Sequence, residues 1–188
     1  MDKYRNKYRI PSARLQNWDY GSNGAYFITI CTAHRQLFFG EIENGVMLLN
    51  DAGKLAEKFW LEIPQRYPFI ELGNYVVMPN HTHGILIIEK ELNVETRFNA
   101  SQPTTTTKPP QRGGITGDKN PMLHENISRI LNWYKGRCTF EIRQMNAGFG
   151  WQSRFHDHII RSAASFERIQ TYIETNPENW QNDKFYPK

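Results

Sequence analysis

Cysteine is scarce in this sequence: Cys31 and Cys138 are the only two among 188 residues. Two widely spaced thiols cannot build a disulfide scaffold or a four-cysteine zinc site, and a reducing, cytoplasmic setting is the simpler expectation. Long apolar runs are also missing. The longest purely aliphatic stretch is Ile85-Leu86-Ile87-Ile88, far short of the roughly 18 apolar residues of a membrane span. No membrane partner is expected. Met1 to Arg5 carries charge with no apolar segment behind it, so a secretory signal is not expected either. Several common signatures are absent: Gly-x-x-x-x-Gly-Lys, Gly-x-Gly-x-x-Gly, Gly-x-Ser-x-Gly and His-Glu-x-x-His. That removes the sequence marks of phosphate-loop, dinucleotide, serine-hydrolase and zinc-protease chemistry.

What is present is a chain of one domain's length, long enough to bury about two thirds of its unfolded surface. Its net charge is +4, which alone favours a polyanionic partner only weakly. The placement of the charge says more. Residues 1–15 hold Lys3, Arg5, Lys7, Arg9 and Arg14 against Asp2. Residues 126–162 hold Arg129, Lys135, Arg137, Arg143, Arg154 and Arg161 against Glu141 and Asp157. Tyr4, Tyr8, Trp133, Tyr134, Trp151 and Phe155 are interleaved with them. Cations bind phosphates and aromatic faces stack on unpaired bases. The same composition also fits an aromatic core under a solvated surface.

Residues 1–22 read as an irregular basic arm. Residues 25–32 are β-branched and aromatic, the composition of a strand. Leu37 to Glu41 and Val46 to Leu49 flank Asn44-Gly45, the strongest short hairpin signal. Asp51 is expected to cap a helix reaching Ile63, with Leu55, Phe59 and Ile63 on one stripe and Pro64 as the stop. Tyr75 to Met78 and His81 to Ile88 read as two strands joined at Pro79-Asn80. Residues 91–121 are rich in Pro, Thr and Gly, and predict a disordered insertion loop. A helix over 124–144 follows, then a strand over Phe155 to Arg161 and a last helix from Ser165 to Asn176, ended by Pro177. The order is strand, helix, strand, strand, helix, strand, helix. That split βαβ repeat predicts an α+β fold, an antiparallel sheet with helices packed on one face and the other open to a ligand.

Two histidines, His81 and His83, are the first candidates for chemistry. Positions i and i+2 of a strand share a face, so two imidazoles there can hold one divalent ion. Ile85 and Ile87 continue that row, which puts the histidines at its wet end. Two half-exposed histidines beside a turn is the structural alternative. Tyr172 and Asn176 are the second candidates, at i and i+4 on the last helix and off its Phe166/Ile169/Ile173 stripe. Arg168 and Ser165 extend their row. A tyrosine beside a basic group is a candidate nucleophile, and Asn176 offers a carbonyl oxygen to a metal. Tyr172 also fits a half-buried amphipathic tyrosine. No general base beside it is evident. His156-Asp157-His158 is a rival pair, read as sheet surface or phosphate contact because no third ligand accompanies it.

Together these residues resemble the single-tyrosine HUH transposases of bacterial insertion sequences, especially their REP-associated relatives. The resemblance spans residues 9–181. It rests on Gly24 to Thr32, on Phe38-Phe39-Gly40-Glu41-Ile42, and on Asn74 through His83 with its His81-Thr82-His83. Trp151 to Arg161 and Tyr172-Ile173-Glu174-Thr175-Asn176-Pro177, with Trp180 behind them, complete it. The resemblance implies an HUH endonuclease architecture on a ferredoxin-like or RRM-like sheet. It implies Mg²⁺ or Mn²⁺ held by His81, His83 and Asn176. It implies that Tyr172 attacks single-stranded DNA and forms a 5′-phosphotyrosine link, leaving a free 3′-hydroxyl. The partner would be single-stranded DNA carrying hairpin repeats, met by a basic face with Arg154, Arg161, Arg168 and Lys135, in a cytoplasmic, nucleoid-associated setting. Monomer and homodimer both stay open. The insertion at 91–121 matches no family motif. Two other readings remain: a nucleic-acid binder without catalysis, and a metal-dependent phosphodiesterase that activates water.

Overall fold

The strands of the central sheet are built from β-branched and aromatic runs, and their period of two separates two faces. The computed structural model describes residues 18–90 and 125–187, with the backbone of two short paired strands, β1 (Lys3–Tyr4) and β2 (Lys7–Tyr8). Most of the basic arm at 1–22 and the whole insertion at 91–121 lie outside the described residues. No helix among the described residues is long and apolar enough to cross a membrane.

Along the chain come β3 (Gly24–Cys31), the ribbon β4 (Gly40–Glu43) and β5 (Val46–Leu49), and α1 (Asp51–Leu61) with the short α2 (Ile63–Arg66). β6 (Ile70–Met78), β7 (His81–Ile88), α3 (Ile127–Met145), β8 (His156–Ile160) and α4 (Ala163–Glu174) follow. The sheet order is β6-β7-β3-β8, antiparallel throughout. This is the α+β sheet expected, with β8 on one edge.

Local chemistry accounts for the element ends. Asn44 and Gly45 take left-handed angles, φ 52° and 78°, as a tight hairpin turn demands. Asn50, rather than Asp51, caps α1 by accepting from the Gly53 N–H at 2.9 Å. Pro64 does not close the helical stretch. It sits in the first turn of α2, where its missing N–H costs nothing. Asn126 and Ser162 cap α3 and α4 through the N–H groups of Arg129 and Ser165.

The main core lies on one sheet face. Tyr26, Ile28 and Ile30 of β3 and Leu86 and Ile88 of β7 meet Phe59 and Trp60 of α1 and Ile130, Leu131 and Tyr134 of α3. Trp60 packs edge-on to Tyr134 at 5.3 Å. The fit is tight at Gly84, where a Cβ would stand 2.2 Å from Trp60 Cζ2. Gly84→Ala must push a fully buried indole out of its seat. An overpacked core costs about 1–3 kcal/mol, and equilibrium denaturation should show a loss of that size.

The helices do not all share that face. α4 lies against the opposite one, on the β6 side. A bulge in β6 meets it there: Gly73 and Asn74 together oppose Ile85, and the register shifts between Leu72 and Tyr75. Bulges re-aim side chains, and here Asn74 reaches α4. It accepts from Gln170 Nε2 at 3.0 Å and donates to Glu174 Oε1. The C-terminal segment then folds back, so that Trp180 and Phe185 join Cys31 and Met78 in a small second core on the same side.

Candidate active site at the histidine pair

β7 places His81 and His83 on the face away from the main core, and both are fully buried. The expected wet end of the row is instead roofed by α4 and the C-terminal segment. The two rings stand 4.4 Å apart at 73°. Phe185 lies 4.5 Å from His81, with Trp180 behind it at 6.0 Å. Phe27 of β3 stacks on His83 at 5.2 Å.

Hydrogen bonds orient the rings. His81 Nδ1 donates to Asn80 Oδ1 at 2.8 Å, which leaves Nε2 buried and without a partner. His83 Nδ1 meets Thr29 Oγ1 at 2.8 Å, and its Nε2 lies 3.2 Å from the Tyr172 hydroxyl. Burial, with Lys184 and Arg35 nearby, lowers the His81 pKa to about 3. Burial and the neighbouring His81 hold His83 well below the ordinary value. Both imidazoles are therefore neutral near pH 7, the state in which imidazole binds metals.

Tyr172 is 38% exposed and lies edge-on to Phe27 at 6.0 Å. Its hydroxyl donates to Asp183 Oδ2 at 3.2 Å. The same carboxylate oxygen accepts from Asn176 Nδ2 at 3.0 Å, while Asp183 Oδ1 accepts from the Phe185 N–H at 2.7 Å. Burial, then the Asp183 carboxylate, pushes the phenol up to about 12. As arranged, the phenol keeps its proton, and the group that can take it is already in contact.

Asn176 is not on α4 itself. The helix ends at Glu174, and Asn176 occupies the next turn, its N–H directed at the Ile173 carbonyl at 3.4 Å. That turn buries its side chain, and Asn176 Oδ1 is left without a partner. Two orphaned acceptors, His81 Nε2 and Asn176 Oδ1, thus share this pocket with a second neutral imidazole. Buried polar atoms without partners are costly, and such a nitrogen and oxygen set suits a small divalent cation such as Mg²⁺ or Mn²⁺. His81, His83 and Asp183 form a group able to hold a metal ion, with ligand atoms all within 4.8 Å of one another.

Asp183 was missed at the level of sequence. It follows Tyr172 by eleven positions, in a segment with no periodicity, and only the fold-back of the chain brings it to the phenol. The remaining candidates are spread out. His156 and His158 are exposed on the same sheet face as His81 and His83, and Asp157 points to the other. Arg154 and Arg161 are exposed beyond the two ends of β8, Arg161 lying 5.9 Å from the Trp18 ring. Arg168 is exposed on α4. Lys135 is set apart from them. It stands on α3, in the other layer, and its ammonium donates to the Gln152 carbonyl at 2.6 Å.

No protein-family model matches the chain. An uncharacterized protein of Haemophilus influenzae Rd is 35% identical over 176 residues, covering 93% of this chain and 92% of its own. Among solved structures, a REP-associated tyrosine transposase bound to a REP hairpin superposes with a TM-score of 0.53 at 19% identity, covering 98% of this chain and 77% of that one. Identity this low speaks for the fold. The chain belongs to one family with the Haemophilus influenzae protein, and its fold is that of the REP-associated tyrosine transposases.

Proposed function

We propose that this protein nicks single-stranded DNA and transfers the cut strand through a phosphotyrosine at Tyr172. The observation that carries the reading is the Tyr172 hydroxyl, 3.2 Å from His83 Nε2 of the buried, neutral histidine pair and 3.2 Å from the Asp183 carboxylate. A structural neighbour holding a REP hairpin supports DNA as the substrate.

Mg²⁺ or Mn²⁺ bound by His81, His83 and Asn176 would supply positive charge to the non-bridging oxygens of the scissile phosphate. The protein's own groups do the rest. Asp183 takes the phenol proton while Tyr172 Oη bonds to phosphorus. The P–O3′ bond breaks, the leaving 3′-oxygen takes up a proton from solvent, and Asp183 gives its proton back to solvent. The products are a 5′-phosphotyrosine and a strand with a free 3′-hydroxyl. A phenol, even one pushed up to about 12 as Tyr172 is in the free site, leaves more readily than an alkyl alcohol. The 3′-hydroxyl of that strand or another can therefore reverse the attack without ATP. Arg154, Arg161 and Arg168 offer phosphate contacts; Lys135, held by Gln152 in the other layer, is not part of this set.

A labelled hairpin with single-stranded flanks, incubated with Mn²⁺, should yield an SDS-stable protein–DNA adduct. Product without adduct would mean that water is the nucleophile. Binding should favour the flanked hairpin over duplex of equal length, because a duplex is stiff and hides its base faces. Affinity should fall steeply with salt while that preference persists, since phosphate contacts are screened more than shape or stacking. Equal affinity for both forms at every salt concentration would leave only a generic basic surface.

A further inference from the structure

Among the described residues, half of the histidine face carries no covering element. We propose that β3 and β8 form a bed for the single-stranded segment flanking the scissile phosphate, with His156 and His158 contacting its nucleotides. This rests on the DNA-nicking reading of the Tyr172 site.

The register places these side chains. Thr29 is paired with His83 on one side and His156 on the other, and Phe27 with Ile85 and His158. His83, Thr29 and His156 therefore form one cross-strand row, and Ile85, Phe27 and His158 the next. Both histidine pairs point from the same face, with β3 between them. Adjacent strands lie about 4.8 Å apart, so the strip on β8 is roughly 10 Å from the strand carrying His83. That is the reach of a nucleotide or two from the attacked phosphate.

Coverage separates the two halves of this face. α4 is anchored over β6 through Asn74, and the rows are buried at His83 and Ile85 but exposed at His156 and His158. Phe27 joins the halves: it stacks on His83, meets Tyr172 edge-on and is itself only half-buried.

Charge fits a polyanion. On this face β3 presents Ala25, Phe27, Thr29 and Cys31, and β8 presents His156, His158 and Ile160, so neither strand adds a carboxylate. Asp157, the acid of β8, is turned to the other face. Arg154 and Arg161 stand beyond the two ends of the strip. Rings at alternate strand positions can stack on unpaired bases or hydrogen-bond to them without demanding a sequence. Nothing marks the pair as a second metal site: among the described residues, the one group of three or more histidine, cysteine and acidic side chains close enough to share an ion is His81, His83 and Asp183.

The test compares a flanked hairpin with the same hairpin lacking its single-stranded flank, in EDTA so that nothing is cut. Paired His156→Ala and His158→Ala changes should weaken binding of the flanked form about ten- to a hundredfold and leave the bare hairpin unchanged. The circular dichroism spectrum and Mn²⁺ binding should stay as in the parent protein. In cleavage assays KM should rise and kcat hold, because saturating DNA overcomes a binding defect. Paired changes to Phe should restore much of the affinity if stacking dominates. Equal losses on both DNAs, or none, would overturn the bed. So would loss of Mn²⁺ binding, which would make the pair a metal site. If flank binding depends on the two histidines but no adduct ever forms, the bed stands and the nicking reading falls. If adducts form and the variant binds the flank normally, the bed alone fails.

Discussion

Tyr172→Phe protein should fold, bind flanked hairpin DNA like the parent, and form no SDS-stable adduct. The change deletes one hydroxyl from a side chain that is 38% exposed. The ring keeps its edge contact with Phe27 and its place beside His83. The lost hydrogen bond to Asp183 is worth about 1 kcal/mol of stability, too little to unfold a domain of this size. What disappears is the atom that would bond to phosphorus, so cleavage should fall below detection. A Phe variant that still forms the adduct would move the nucleophile elsewhere. Tyr134 is ruled out by its environment: it is fully buried, and burial holds its phenol well above the ordinary value. Tyr186 is the other exposed tyrosine among the described residues, and it would be changed next.

Loss of the metal site should be as severe. EDTA should abolish cleavage and Mn²⁺ should restore it. His81→Ala, His83→Ala and Asn176→Ala should each lower Mn²⁺ affinity and the cleavage rate by about a hundredfold or more; disturbing even the outer partners of a metal site costs 10–100-fold. Calorimetric Mn²⁺ binding reads the defect directly, without DNA or turnover. Removing Asn176 Oδ1 or His81 Nε2 takes away a buried atom that has no partner in the protein. Each change also deletes a hydrogen bond from a buried side chain, His81 Nδ1 to Asn80 Oδ1 or Asn176 Nδ2 to Asp183 Oδ2, so stability in EDTA should fall by the ordinary cost of such a loss, about 1–3 kcal/mol, while metal affinity collapses. Unchanged Mn²⁺ binding in all three variants would dissociate the metal from this pocket.

Much of this arrangement follows from local rules. A strand's period of two forces His81 and His83 onto one face, whatever surrounds them. The stripe of Ile127, Ile130, Leu131, Tyr134 and Cys138 makes α3, and Asn44-Gly45 makes the ribbon turn. The order of elements narrows the sheet to an antiparallel one. Tyr172, off the stripe of its helix, is legible in the same way.

Other features depend on partners far away in the chain. Tyr172 and His83 are 89 positions apart, and Asn74 and Gln170 are 96 apart. No local pattern announces such pairs. The β6 bulge turns Asn74 toward α4, where it bonds Gln170 and Glu174. The burial of His81 is set by Trp180 and Phe185, which arrive with a segment that has no periodicity.

By itself, then, the sequence determined the elements, the spacing of the two histidine pairs and the residue types the chemistry needs, because these depend on neighbours within a few positions. The tertiary structure alone decided that the histidines are buried and neutral, that Asp183 meets the phenol, and that Lys135 stands in the other layer. It also decided that His156 and His158 share the face of His81 and His83. Strand order and chain fold-back bring those groups together, and both are outcomes of burying the whole apolar surface at once rather than of any one segment.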